Sequence, residues 1–173
     1  MRRTMLALVL LSLPVGALAG THRAGAGAGG GRADGSSLWG ALLSAELVIK
    51  HFGEGSPAPL TLSAVGDLTW MSGDRTGFEE FNQVTFVGGG RLTYNSLKRI
   101  SPFGHVMAGR YWATGPDSGA MAFGGGADIL FGRRASEGHS HRVIRLQADY
   151  YKTDVEDHSS FWQLTAQVFF RIE

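Results

Sequence analysis

The 173-residue chain contains no cysteine, which excludes a disulfide framework and any thiolate metal site. Proline is sparse, at 5 residues, against 26 glycines. No sign of charge dominates. The formal net charge is +1 and the pI is about 8.2, so the basic stripe of a dedicated nucleic-acid binder is missing. Beyond the amino terminus no segment approaches 18 consecutive apolar residues, so no transmembrane helix is expected. No serine stands in a nucleophile elbow, and no tandem repeat is visible.

What is there begins with a secretory pattern. Arg2 and Arg3 form a positive n-region, Met5 to Leu13 an apolar run, and Ala17-Leu18-Ala19 a small-x-small cleavage site. Residues 1–19 are therefore expected to be a cleaved signal peptide, leaving 173 − 19 = 154 residues. Residues 20–36, GTHRAGAGAGGGRADGS, are expected to be a flexible Gly/Ala-rich leader, because such a tract buries too little to offset its ordering entropy. Gly25-x-Gly27-x-x-Gly30 lacks the strand before and the helix after that a dinucleotide site requires. Residues 37–173 are assigned to one β domain.

The carboxy-terminal stretch, Phe161 to Ile172, shows the pattern most clearly. Trp162, Leu164, Ala166, Val168, Phe170 and Ile172 alternate with Gln163, Thr165, Gln167, Phe169 and Arg171. This is the period of a strand with one apolar and one polar face, long enough for a tilted bilayer crossing. Six further segments behave alike: 38–50, 60–70, 81–95, 103–112, 120–131 and 142–151, separated by turn-rich links such as 51–59 and 113–119. Within 103–112 the alternation is less clean. Phe103, Met107 and Tyr111 share a face with His105, taken as the apolar face, and Val106, Ala108 and Arg110 share the other. The aromatic residues Trp39, Trp70, Tyr94, Phe103, Tyr111, Phe131, Tyr150, Trp162 and Phe170 are placed on the apolar faces, most of them near strand ends.

By parity, the polar faces carry Glu46, Asp67, Arg91, Arg110, Asp128, Arg145, Asp149 and Arg171, four acids and four arginines. A balanced set of this kind suits a closed lumen, where a charge must be paired. It also fits solvated surface positions, which leaves two arrangements open. One is a membrane barrel with its apolar face outward; the other is a soluble barrel with its apolar face inward.

The segments SPFGHVMAGRYWATG, GAMAFGGGADILF, IRLQADYYKTD and FWQLTAQVFFRIE resemble, in order, the carboxy-terminal half of bacterial OmpA-like outer-membrane β-barrel proteins. The matching features are Pro102-Phe103, Met121 to Asp128, Arg145 to Tyr150 and Phe161 to Arg171. The resemblance implies an eight-stranded up-and-down barrel and passage through the periplasm into the outer membrane. It further implies contact with outer-membrane lipid and with the periplasmic chaperone and barrel-assembly machinery. A structural or passive role follows more often than an enzymatic one. The chain departs from the pattern by ending Arg171-Ile172-Glu173 rather than on an aromatic residue. Seven recognisable strands also cannot close an antiparallel meander. The missing partner has to come from the tract before Leu38, or the barrel is short by a strand.

Sharper chemistry finds little support. His139, His141 and Glu137 lie in one turn and His158 in another, at opposite ends of a strand, so they share no metal ion. Asp157, His158, Ser159 and Ser160 are adjacent in one loop, whereas a triad is a spatial constellation. The expectation is an all-β, antiparallel transmembrane barrel without catalysis, cofactor or metal. Its lumen would hold an Arg/Asp/Glu network. The alternative is a soluble periplasmic barrel binding an apolar ligand.

Overall fold

The computed structural model describes residues 22–33, 36–53, 55, 59–73, 81–95, 99–113, 117–131, 142–154 and 160–172. The expected signal peptide lies outside them. The strands are β1 (His22–Ala33), β2 (Ser36–Phe52), β3 (Leu60–Gly73), β4 (Phe81–Tyr94), β5 (Ile100–Trp112), β6 (Ser118–Phe131), β7 (Arg142–Thr153) and β8 (Ser160–Ile172). Each pairs antiparallel with its sequence neighbours, and β1 pairs with β8, so the sheet is a closed barrel. Every strand exceeds the roughly 9–11 residues needed for a tilted crossing. Among the described residues no helix is long and apolar enough to cross a membrane. One irregularity in register separates Val48 from Lys50 in β2, a bulge that tightens the local twist.

Closure corrects the first expectation. The Gly/Ala tract assigned to a flexible leader is β1, the eighth strand, in continuous register from Ala33↔Phe161 to His22↔Ile172. The reason lies in its odd positions. Gly25, Gly27, Gly29 and Gly31 stand opposite Phe169, Gln167, Thr165 and Gln163 of β8. A Cβ at Gly25 would meet the Phe169 ring 2.7 Å away, and one at Gly27 would press on the Ala166 carbonyl. Side chains of β8 thus occupy the space over a bare β1 backbone. Glycine has weak strand propensity, but the ladders on both sides of β1 and the close approach of β8 favour it here.

The wall is apolar outside, and its charged and amide side chains point inside. Trp39, Leu164, Ile49, Trp162 and Leu43 are among the most exposed residues, Trp39 at 72%. Alternating with them, Glu46, Asp67, Arg91, Asp128, Arg145, Gln147, Asp149, Gln163 and Gln167 are all buried. The order is the reverse of a soluble barrel, in which alternation points apolar side chains inward.

Strand β5 corrects a second expectation, because its facing is inverted. Phe103, His105, Met107 and Tyr111 are buried in the lumen, while Val106, Arg110 and Trp112 face outward. Both faces of this strand carry large apolar residues, so hydrophobicity does not decide. Polar partners do. His105 lies opposite Arg91 on β4 and reaches Asp149 on β7, and Phe103 packs against arginine. The aromatics Phe103 and Tyr111 accordingly leave the outer face. Trp39, Trp70, Phe131, Trp162 and Phe170 are exposed on it as expected.

Candidate functional site

The lumen divides into two halves. Toward the β1–β2 connection it is filled by an apolar cluster that includes Leu38, Met71, Met107, Tyr111, Tyr151 and Phe161. Tyr151 and Phe161 stack with centroids 4.5 Å apart and planes within 3°. Toward the end where β1 starts and β8 finishes, it is charged.

The charged half centres on Arg145. Its Nε donates to Asp128 Oδ1 at 2.6 Å and its Nη2 to Asp128 Oδ2 at 2.8 Å, a bidentate pair between β7 and β6. The same Nη2 lies 2.7 Å from Glu46 Oε2 on β2, across the barrel. Arg91 Nη1 donates to that Glu46 oxygen at 3.1 Å and its Nη2 to Gln147 Oε1 at 3.4 Å. Two aromatic rings flank the cations. The Arg145 guanidinium sits 3.9 Å from the Phe169 ring centroid and 5.0 Å from that of Phe103, and Arg91 sits 4.2 Å from Phe103. Rings against guanidinium faces leave the in-plane donors free for carboxylates. Arg23 of β1, half-buried, touches the edge of the cluster, 4.0 Å from Asp128.

A second layer adjoins the first. His105 Nε2 lies 2.9 Å from Asp149 Oδ1. The Gln147 amide donates to Asp149 Oδ2 at 2.7 Å and to Asp67 Oδ2 at 3.2 Å. Ser44 Oγ stands 2.7 Å from Asp67 Oδ1 and 2.8 Å from Gln167 Oε1. Gly124 of β6 makes room for these groups, and Gly126 for the close approach of the β7 backbone at Leu146. A Cβ at Gly124 would strike the Asp149 carboxylate and His105.

Of the eight charged residues assigned to the lumen by parity, Glu46, Asp67, Arg91, Asp128, Arg145 and Asp149 are buried on the inner wall and lie in these two layers. Arg110 is not among them. It faces outward with its side chain 61% exposed and lies 3.6 Å from Asp117, at the β5–β6 end. Its parity follows the inverted facing of β5, and close to a strand end the long side chain reaches water without crossing apolar surface. The backbone of Arg171 pairs with Arg23, and its side chain lies outside the described residues. Parity missed His105, placed on the outer face, and Phe103 and Phe169 as partners of arginine. The signal for Phe103 and His105 was their shared parity, which ties a titratable ring to an aromatic one.

Among the described residues no cluster of three or more His, Cys, Asp or Glu side chains could hold a metal ion. The turn with His139 and His141 and the loop with His158 and Ser159 lie outside those residues. The arrangement pairs charges and closes space.

No protein-family model matches the chain, and no curated protein matches it. Solved structures do. Neisserial surface protein A superposes over 88% of this chain and 97% of its own, at 12% identity and a TM-score of 0.58. The attachment invasion locus protein Ail of Yersinia pestis covers 90% of this chain and 100% of its own, at 11% identity and a TM-score of 0.52. The outer-membrane enzyme PagL covers 88% and 98%, at 13% identity and a TM-score of 0.50. At these identities the likeness is one of fold, and by fold this chain is an eight-stranded antiparallel β-barrel of the kind these outer-membrane proteins share.

Proposed function

We propose that the protein is a small outer-membrane β-barrel with a structural or passive role and no catalytic activity. The observation that carries this reading is the inverted wall. Large apolar side chains are exposed around the barrel while two arginines and four carboxylates are buried in its lumen. Exposed tryptophan and leucine on six of the eight strands would aggregate in water, and lipid is the solvent that such a wall fits. The soluble alternative needs an apolar interior, and the interior middle here is built of charged and amide groups.

The filled lumen supports a closed barrel. The Arg145–Glu46–Arg91 layer crosses one half and the Met and Tyr cluster fills the other, as small barrels leave an interior just wide enough for side chains. PagL carries the word enzyme on the same fold, and a fold does not transfer an activity. Delivery through the periplasm, with chaperones and the assembly machinery as transient partners, belongs to this reading. The test is folding of the mature chain into liposomes. A heat-modifiable electrophoretic form in the lipid fraction, with no ion conductance above background in planar bilayers, is the expected result. Recovery as a folded, lipid-free soluble protein would overturn the reading, and steady conductance would overturn its closed lumen.

A further inference from the structure

On the outer wall, across β1, β8, β7 and β6, the apolar surface is recessed into a groove of about 860 Å³. That volume falls within the roughly 300–1,000 Å³ of ordinary ligand sites. Its floor is small: Ala28 and Gly30 of β1, Ala166 of β8 and Ala148 of β7. Its sides are the indoles of Trp39 and Trp162, exposed by 72% and 60%. The recess follows from the sequence of β1, whose outer face carries at most a methyl group from Ala24 to Gly30. Arg32 stands at the end of the groove nearest the β1–β2 connection, exposed and, among the described residues, with no carboxylate paired to it. Beyond Trp162, which pairs with Arg32, Lys152 of β7 is also exposed.

We propose that this groove holds one acyl chain of an anionic phospholipid, with the lipid phosphate bound by Arg32. The inference rests on the membrane reading above. Two observations choose the occupant. From Arg32 to Ala28 the groove runs four residues, about 13 Å at the strand rise, of the order of one leaflet of a hydrocarbon core about 30 Å thick. Charge chooses between a lipid and a second copy. No outward-facing strand position among the described residues carries a carboxylate, so another barrel wall offers Arg32 no counter-ion, whereas a phosphate does. The indole N–H groups beside the cation suit the headgroup level.

The test uses the mature chain folded in mixed micelles with equal phosphatidylglycerol and phosphatidylcholine, then stripped of loose lipid. Native mass spectrometry counts what stays bound. The wild type should retain one phosphatidylglycerol. Ala28→Phe/Ala166→Phe fills the groove with apolar atoms and should lower retention roughly tenfold or more. Ala45→Phe, an outer-face change on β2 away from the groove, should leave retention unchanged and controls for folding. Arg32→Gln should keep an acyl chain but lose the preference for phosphatidylglycerol. Equal retention in the filled variant, or none in a wild type that still shows heat-modifiable migration, overturns the proposal while sparing the membrane reading. So does a dimer that the filled variant disperses, which would make a second copy the occupant. Loss of the heat-modifiable form in wild type overturns both.

Discussion

Replacing Arg145 by methionine removes the centre of the lumen cluster while keeping much of its volume. Arg145 is 1% exposed and supplies three short contacts, two to Asp128 and one to Glu46. After Arg145→Met, the ion pair left to Asp128 among the described residues is the 4.0 Å approach of Arg23, and Glu46 keeps Arg91. Breaking a buried pair by removing one partner costs about 3–5 kcal/mol, because the surviving charge stays desolvated. With a urea slope of about 2 kcal/mol per M, the unfolding midpoint in detergent should fall by roughly 2 M. Heat-modifiable migration and tryptophan fluorescence follow the transition. Arg110→Met is the internal comparison. Its pair with Asp117 is 3.6 Å long and open to water, so after discounting for solvent screening its loss should be under about 1 kcal/mol. The double change Arg145→Met/Asp128→Asn should recover much of the stability, since the stranded carboxylate is gone while Glu46 still neutralises Arg91. A loss below about 0.5 kcal/mol for Arg145→Met, or equal losses at Arg145 and Arg110, would refute the buried-network reasoning.

Gly27→Val drives a side chain into the Ala166 carbonyl and Gln167, so the heat-modifiable form should be lost, while Ala26→Val on the exposed face of β1 should fold normally; the reverse pattern would contradict the facing of β1. Leu164→Arg places a cation on the lipid side of β8, where Leu164 is 66% exposed, and should lower folding stability in bilayers by about 2–4 kcal/mol if it lies near mid-membrane, measured by urea titration in liposomes. Asp149→Ala removes the carboxylate partner of His105 and leaves the Gln147 amide only its longer bond to Asp67 and should cost about 1–3 kcal/mol; no change in the urea midpoint would remove that second layer.

Much of the barrel is legible in the chain, and the exceptions have physical causes. In the middle of β6, β7 and β8 one face is apolar and the other mostly polar or small, so parity alone places Asp128, Arg145, Asp149 and Gln167 inside. β1 is illegible by the same method. From Ala24 to Gly31 its inner face is glycine and its outer face alanine and glycine, so this stretch carries no amphipathic signal, and the evidence for it is the even number of strands that closure demands. β5 misleads because guanidinium groups accept aromatic rings as packing partners. A buried Phe103 beside Arg91 satisfies both, and a rule that sends every aromatic outward fails there. Arg110 follows from that error, since one inverted parity moves every residue of the strand to the other face. The pairing partners across the lumen, Glu46 with Arg145 above all, join strands far apart in sequence and depend on barrel closure, which no local pattern contains.

On the proposed reading lipid meets the apolar face of the wall, and the inside holds the charged layers beside an apolar cluster. The chain has no cysteine, so single cysteines can be placed along β8 without background, at 162 to 168 in turn, and labelled with a small fluorophore. In liposomes of phospholipid brominated along its acyl chains, the account expects quenching at 162, 164, 166 and 168 and little at 163, 165 and 167. Quenching without alternation, or quenching at the odd positions, would contradict it.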